Sequence, residues 1–473
     1  MPSINPHHKT IMNKLPDELL IVVFKSLVCS YPWRHPAVHR TLSTIVAVSA
    51  LWRSVVLSAC ELWRFIDWAT SDEDCEPLSE RLVQQRAIAY LERSRSTSID
   101  VRFHHRAEGG NDNGQFTQWK LFSSIVLLHR ERIRTLDVQF YFNRAPSVSA
   151  IFPIVGLFPS VESLLVSVRA LASVRSAFQG RGGLLVFQEP NALRPHSFFL
   201  HTPIYMLLTN ITPSRLRVFH AQFQVIGAVD EDTWRFVYAS PQLQRMMLHV
   251  RGPRVHITGS QPAPHHAQPG HELGCLQSMS FLGNYPARAI SAPNLRSLRI
   301  SITSEPLPDI YECIKGLSAL KFLSILCETW SRRHEACMKS ILHNAKSIVE
   351  LSLPQWSWMD LSESLTLLLP ESVNVADLGP ESSTTSALTP TTMQSPAQSS
   401  FLPRLCLITI SFSEQTEWNG LTYEAIYMTF GPITKARPNM AISFDDYWIN
   451  PPPTPAGRKE IVAISAERRE LVG

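Results

Sequence analysis

The tightest constraint on this chain is a six-residue pattern, apolar-x-x-apolar-x-apolar, that returns along most of its length. It occurs at Ile133/Leu136/Val138, Val161/Leu164/Val166, Leu216/Phe219/Ala221, Leu243/Met246/Leu248 and Leu276/Met279/Phe281. It continues at Leu295/Leu298/Ile300, Leu320/Leu323/Ile325, Ile348/Leu351/Leu353 and Leu405/Ile408/Ile410. Successive starts lie 19 to 57 residues apart, and the two long intervals are about double the rest. The last two apolar positions are separated by two residues, which puts both on one side of a short strand. One such strand cannot bury that side alone; stacked neighbours join their sides into a common core.

Spacing in the twenties with this pattern resembles the leucine-rich repeat signature. Several units follow a proline, as at Pro213 before Leu216 and Pro293 before Leu295. One long interval holds a further candidate near Leu193/His196/Phe198, and the other holds an insertion. The asparagine that usually follows such a strand occurs only at Asn284, so the expected array is degenerate. An α/β domain with scattered strands is the competing reading. In repeat geometry the residues between inward positions line the concave sheet. Asp137, His220, Met247, His249 and Arg299 are the candidates there for contact with a target. That face is mixed and weakly charged, which suits a protein or peptide better than a polyanion.

The N-terminal stretch carries a different period. Leu15-Pro16-Asp17-Glu18 opens a helix: proline at the first helical position costs no hydrogen bond, and acids in the first turn suit the helix dipole. Leu19, Leu20, Val23, Phe24 and Leu27 are expected on one apolar face, and Pro32 and Pro36 prevent continuation. A second helix is expected from Thr41 to Leu57 with Leu42, Ile45, Val46, Ser49, Trp52, Val55 and Val56 on one face. So small a helical module needs a neighbour or a partner to complete its core. Met12, Asn13, Leu15 to Leu20, Phe24, Leu27, Val48, Ser49, Trp52, Arg53, Leu57, Leu62 and Trp63 fall in two blocks. In order and spacing these blocks resemble the F-box motif of fungal families. That resemblance implies binding to the Skp-type adaptor, and through it the cullin core, of a ubiquitin ligase. Carried over residue by residue, it implies adaptor contact by Leu15, Pro16, Asp17, Leu19, Leu20, Phe24, Leu27, Trp52, Leu62 and Trp63. The chain departs from many relatives at Ser49-Ala50, where they carry Cys-Arg; that bears on whether the adaptor contact is intact.

Composition narrows the function classes. At 473 residues the chain exceeds one ordinary core. With 44% hydrophobic and 18% charged residues it has a folding composition. A net charge of +4 without a basic block gives no reason to expect nucleic acid. The 8 cysteines are dispersed without CxxC, and neither an apolar leader nor a membrane-length apolar run is present. The expectation is a reducing cytoplasmic or nuclear setting with no membrane. Catalytic patterns stop short. His271-Glu272 and His334-Glu335 begin like a zinc-protease helix, but Cys275 and Met338 stand where the second histidine belongs. His265, His266, His271 and Cys275 form a loose cluster better read as a polar loop than a metal site. Gly180-Arg181-Gly182-Gly183 lacks the lysine of a phosphate loop. No cofactor is expected.

The expected organisation is α/β: a small N-terminal helical F-box module followed by an irregular leucine-rich repeat solenoid. The boundaries are a disordered N-terminus over 1–10, an F-box over 11–68 and a helical linker over 69–95. A degenerate array follows over 96–440, with a disordered Ser/Thr/Pro insertion over 371–400, and then a tail over 441–473. Thr389-Pro390 and Ser395-Pro396 in the insertion could accept phosphate. Two functions follow from this reading. One is a non-catalytic substrate receptor of an SCF-type ubiquitin ligase. The other is a non-catalytic repeat scaffold or binding protein whose F-box is vestigial.

Overall fold

The computed structural model describes residues 15–29, 37–69, 79–106, 112–142, 158–170, 185–186, 194–202, 206–207, 213–223, 230–250, 272–283, 291–302, 317–327, 346–353, 404–410, 441–444 and 447–450. The expected disordered N-terminus, the 371–400 insertion, its two phosphorylation dipeptides, the glycine turn at 180–183 and the end of the tail lie outside them. So do His265, His266, His271, Asn284 and His334. The chain forms two units: 1–216 with 228–239, and 217–227 with 240–473.

The first unit opens with three helices. Helix α1 (Asp17–Cys29) begins just after Pro16, whose carbonyl accepts the N–H groups of Leu19 at 3.0 Å and Leu20 at 3.1 Å. Proline therefore caps the helix rather than occupying its first turn. Leu20, Phe24 and Val28, four residues apart, point into the core. Helices α2 (Ala37–Val48) and α3 (Ala50–Ser58) replace the single expected helix. The break is at Ser49, which is extended at φ −157° and ψ 164°. Its Oγ accepts the Trp52 N–H at 3.1 Å, so it caps α3 and rules out a continuous helix.

A 3-10 turn (Cys60–Trp63) then leads straight into strand β1 (Phe65–Ala69). Strands β2 (Ile99–Arg106), β3 (Ile133–Phe142) and β4 (Ser163–Ala170) follow in parallel, each paired with the one before. A separate two-residue strand, β5 (Leu185–Val186), precedes β6 (Ser197–Thr202), which extends the sheet from β4; β5 pairs with β7 (Met206–Leu207). Register aligns two inward rows: Ile66, Val101, Leu136, Leu164, Phe198, and Trp68, Phe103, Val138, Val166, Leu200. All ten are buried. Burying each large apolar side chain contributes about 1.5–3 kcal/mol. The unit hidden in the long sequence gap is therefore Pro195/Phe198/Leu200, two residues beyond the expected Leu193/His196/Phe198.

Helices cover these rows. Helix α4 (Glu80–Arg93) buries Val83, Ala87, Tyr90 and Leu91. Helix α5 (Asp112–Val126) sets Trp119 edge-on to Phe103, with ring centroids 5.0 Å apart, and Phe122 edge-on to Trp68 at 5.6 Å. It ends at Val126, before Leu128. Leu128 lies in the 3-10 segment Leu127–Arg132 and is 83% exposed. Val126 takes the inward position instead. Helix α6 (Asp230–Tyr238) brings Phe236 within 6.2 Å of Phe198.

The second unit continues the sequential pattern. Strands β8 (Val218–Phe223), β9 (Arg245–Val250), β10 (Ser278–Gly283), β11 (Ser297–Ile302) and β12 (Phe322–Cys327) pair in parallel in that order, β8 with β9 through to β11 with β12. Strands β13 (Glu350–Leu353), β14 (Leu407–Ile410) and β15 (Ala441–Phe444) add to them in the same way. Strand β16 (Tyr447–Asn450) closes the edge antiparallel to β15. The expected tail thus begins with two sheet strands. Its short apolar alternation, Ile442 and Phe444, carried the signal.

The expected architecture, a separate helical module followed by an irregular solenoid, is corrected here. The arrangement is α/β in a coarser sense: long runs of in-register parallel strands with only six α-helices among the described residues. Strand β1 lies inside the stretch assigned to the helical module and pairs with β2 over Phe65 to Ala69. The helices therefore run directly into the sheet. The cause is Phe65-Ile66-Asp67-Trp68-Ala69, whose inward Ile66 and Trp68 need the core that β2 and α5 provide.

Candidate functional site

Two features stand out: an apolar surface on the first helices, and a buried polar cluster where those helices meet the sheet.

The surface arises because α1 is apolar on two sides. Leu20, Phe24 and Val28 turn inward, while Leu19, Val22, Val23 and Leu27 turn out, 50%, 59%, 37% and 46% exposed. Val48, Leu51 and Leu57 of α2 and α3 are exposed as well. Among the described residues, every exposed large apolar side chain except Leu82 and Leu128 lies on these three helices. Lone exposed leucines need no explanation, but a concentration on one small element marks an interaction surface.

The residues expected to contact an adaptor divide accordingly. Pro16, Asp17, Leu19 and Leu27 are exposed, and Leu15 and Trp52 are half-buried. Leu20, Phe24, Leu62 and Trp63 are core residues, at most 3% exposed. Phe24 packs on Trp52, with centroids 5.0 Å apart. Trp63 donates its indole N–H to the Val56 carbonyl at 2.8 Å, meets Tyr90 edge-on at 4.8 Å and lies under the Arg93 guanidinium at 4.4 Å. It closes the core between α3 and α4 rather than facing a partner. Val22, Val48, Leu51 and Leu57 belong to the exposed surface and were not expected there. The signal available for Val22 was an α1 sequence with apolar residues all round. Lys25 and Glu61 form an ion pair that ties α1 to the 3-10 turn.

The buried cluster centres on Asp67 of β1. His39 of α2 places Nε2 3.5 Å from Asp67 Oδ2, with the two side chains 11% and 12% exposed. The other ring nitrogen, Nδ1, lies 3.1 Å from the Tyr90 hydroxyl on α4. Arg102 Nε of β2 stands 3.8 Å from Asp67 Oδ1, which has no hydrogen bond of its own. Arg86 of α4 donates Nη2–H to the Asp67 carbonyl at 3.1 Å, and Arg102 Nη2 reaches His104 Nδ1 at 3.1 Å. Burial pushes the Asp67 carboxyl up. The His39 hydrogen bond and the charges of Arg102, His39 and Arg86 more than offset this and hold it below its ordinary value. Burial also pushes the Tyr90 phenol up, to about 12.

Asp137, expected to face a target, belongs to this interior. It follows Asp67 and Arg102 in register across β1, β2 and β3, and is 0% exposed. Its carboxylate accepts both contacts of the Gln139 amide at 3.2 Å. A buried carboxylate needs such partners, so the residue serves the fold and not a surface. The other target candidates sit in the second unit. His220, Met247 and His249 are half-buried and Arg299 is exposed. Register places His220, Met247, Ser280, Arg299, Ser324, Ser352, Thr409 and Ser443 in one row. His249 lies on the same face, one row along, opposite Gln222.

Among the described residues no group of three or more His, Cys, Asp or Glu is placed to hold a metal, and no helix is long and apolar enough to cross a membrane. No protein-family model matches the sequence, and no curated protein matches it significantly.

Proposed function

We propose that the chain is the substrate-recognition subunit of an SCF-type ubiquitin ligase. In this reading α1 to α3 dock on a Skp-type adaptor and the outward row of the second unit's strands receives a protein target. The subunit does no chemistry itself; it raises the local concentration of target lysines near the ubiquitin-carrying enzyme.

The observation that carries the reading is the apolar surface of α1 to α3. Leu19, Val22, Val23 and Leu27 are exposed on the helix that follows the Leu15-Pro16 start resembling an F-box. Skp-type adaptors are the occupant that the motif resemblance implies. Substituting this surface need not disturb the core, because Leu20 and Phe24 hold the helix from the other side.

Co-purification of the full chain with a Skp-type adaptor and cullin tests it. The wild-type chain is expected to hold the adaptor stoichiometrically. Leu19→Asp with Val23→Asp is expected to weaken binding by at least 2 kcal/mol, about thirtyfold, as loss of a central apolar contact does, with an unchanged unfolding midpoint. Wild-type protein that retains no adaptor would sink the ligase reading and leave the non-catalytic scaffold.

A further inference from the structure

Four separate elements converge on one carboxylate. Helix α2 supplies His39, α4 supplies Tyr90 and Arg86, β1 carries Asp67 itself, and β2 supplies Arg102. The contacts form a continuous chain. The Tyr90 hydroxyl lies 3.1 Å from His39 Nδ1, His39 Nε2 lies 3.5 Å from Asp67 Oδ2, and the Arg102 guanidinium faces Asp67 Oδ1. Arg102 is itself 6% exposed and lies in register between Asp67 and Asp137.

Such a cluster is a costly way to add stability. Well-packed apolar groups would serve as well or better, but breaking one partner of a buried pair leaves a charge without compensation. What directed hydrogen bonds add is a single allowed geometry. Apolar contacts between a helix and a sheet permit sliding; a histidine held at both ring nitrogens does not.

We propose that His39, Asp67, Arg102 and Tyr90 form a buried latch that fixes α2, and with it the adaptor-facing helices, to the first two strands. These are positioning residues: none belongs to the exposed apolar surface. The latch rests on the ligase reading for its purpose, which is to hold the docking surface at a set angle to β1 and β2. Its physical existence does not depend on that reading.

The test uses the full chain with Asp67→Asn, His39→Gln and Tyr90→Phe, followed by amide hydrogen exchange. The amides of α2 and α3 are expected to exchange roughly tenfold faster or more in Asp67→Asn and His39→Gln, and less so in Tyr90→Phe, which loses only the outer link. Amides of β3 are expected to keep wild-type protection. Adaptor affinity is expected to stay within about twofold, because the exposed surface is untouched. In a reconstituted ligase, wild-type protein is expected to modify a narrow set of its own lysines, and Asp67→Asn a broader set. Unchanged α2 exchange in all three variants would overturn the latch. So would equal loss of protection in β3, which would make the cluster a plain element of core stability. Absence of adaptor binding by the wild type would remove the ligase reading alone, and the exchange result would still decide the latch.

Discussion

Asp67 keeps a charge where burial alone would remove it. Its carboxyl is held below its ordinary value because His39 and the nearby arginines stabilise the anion more than burial penalises it. A group whose folded value is depressed contributes stability above its unfolded value and loses that contribution as pH falls through the folded value. The window is therefore acidic, beginning near the ordinary 3.8 and ending below it. At neutral pH Asp67→Asn is expected to cost about 3 kcal/mol, the typical loss from breaking a buried pair. The gap between the two proteins should narrow as pH drops below about 4. Denaturant unfolding of both across pH 3 to 7 (roughly the range over which carboxyls titrate) measures it, and a gap that widens in acid would contradict the assignment. Trp63 teaches the same lesson from the apolar side. Its conspicuous place in the motif drew it into the expected adaptor surface, but its indole N–H bonds Val56, Tyr90 meets it edge-on and Arg93 lies over its ring inside the protein.

At the scale of elements, the sequence was most legible where the period was two. The second and third apolar residues, two apart, are buried in all seven units whose third side chain is described, from Leu136 and Val138 to Leu323 and Ile325. Alternation survives in a strand whatever covers it, so the pattern could be read without knowing the neighbours. The helices were less legible for a physical reason. Helix α1 offers Leu20, Phe24 and Val28 on one side and Leu19, Val23 and Leu27 on the other, and only packing decides which side is core. The break between α2 and α3 was hidden because the apolar spacing runs through it; the deciding event is the hydrogen bond that the Ser49 side chain accepts from the Trp52 N–H. Asp137 was misplaced because a strand's outward side was equated with the surface, whereas this residue is fully buried and bonded to Gln139. The capping argument is testable. Ser49→Ala is expected to lower stability by about 1 kcal/mol and Ser49→Asp to preserve it, since aspartate caps as well as serine. Equal unfolding midpoints for Ser49→Ala and wild type would show that the Oγ contact is idle.

At the scale of the whole molecule, the two units alternate along the chain. Residues 228–239 belong with the first, although 217–227 belong with the second. The helical surface consequently cannot be excised where the motif ends. A fragment of residues 1–95 keeps β1 but loses β2, β3 and α5. Ile66 then lacks Val101, and Trp68 lacks Phe103 and Phe122. Exposing those two side chains alone removes about 1.5–3 kcal/mol each, and the bare strand edge invites association. Asp67 also loses Arg102 and keeps His39, so the latch is left half made. A fragment of residues 1–239 retains every described strand of the first unit and also α6, whose Phe236 packs on Phe198. It is expected to unfold cooperatively in denaturant. The 1–95 fragment is expected to aggregate or to melt without a transition. Circular dichroism with light scattering distinguishes them. A soluble, cooperatively folding 1–95 fragment would show that the helices form an independent module after all, and that β1 joins the sheet without being needed by it.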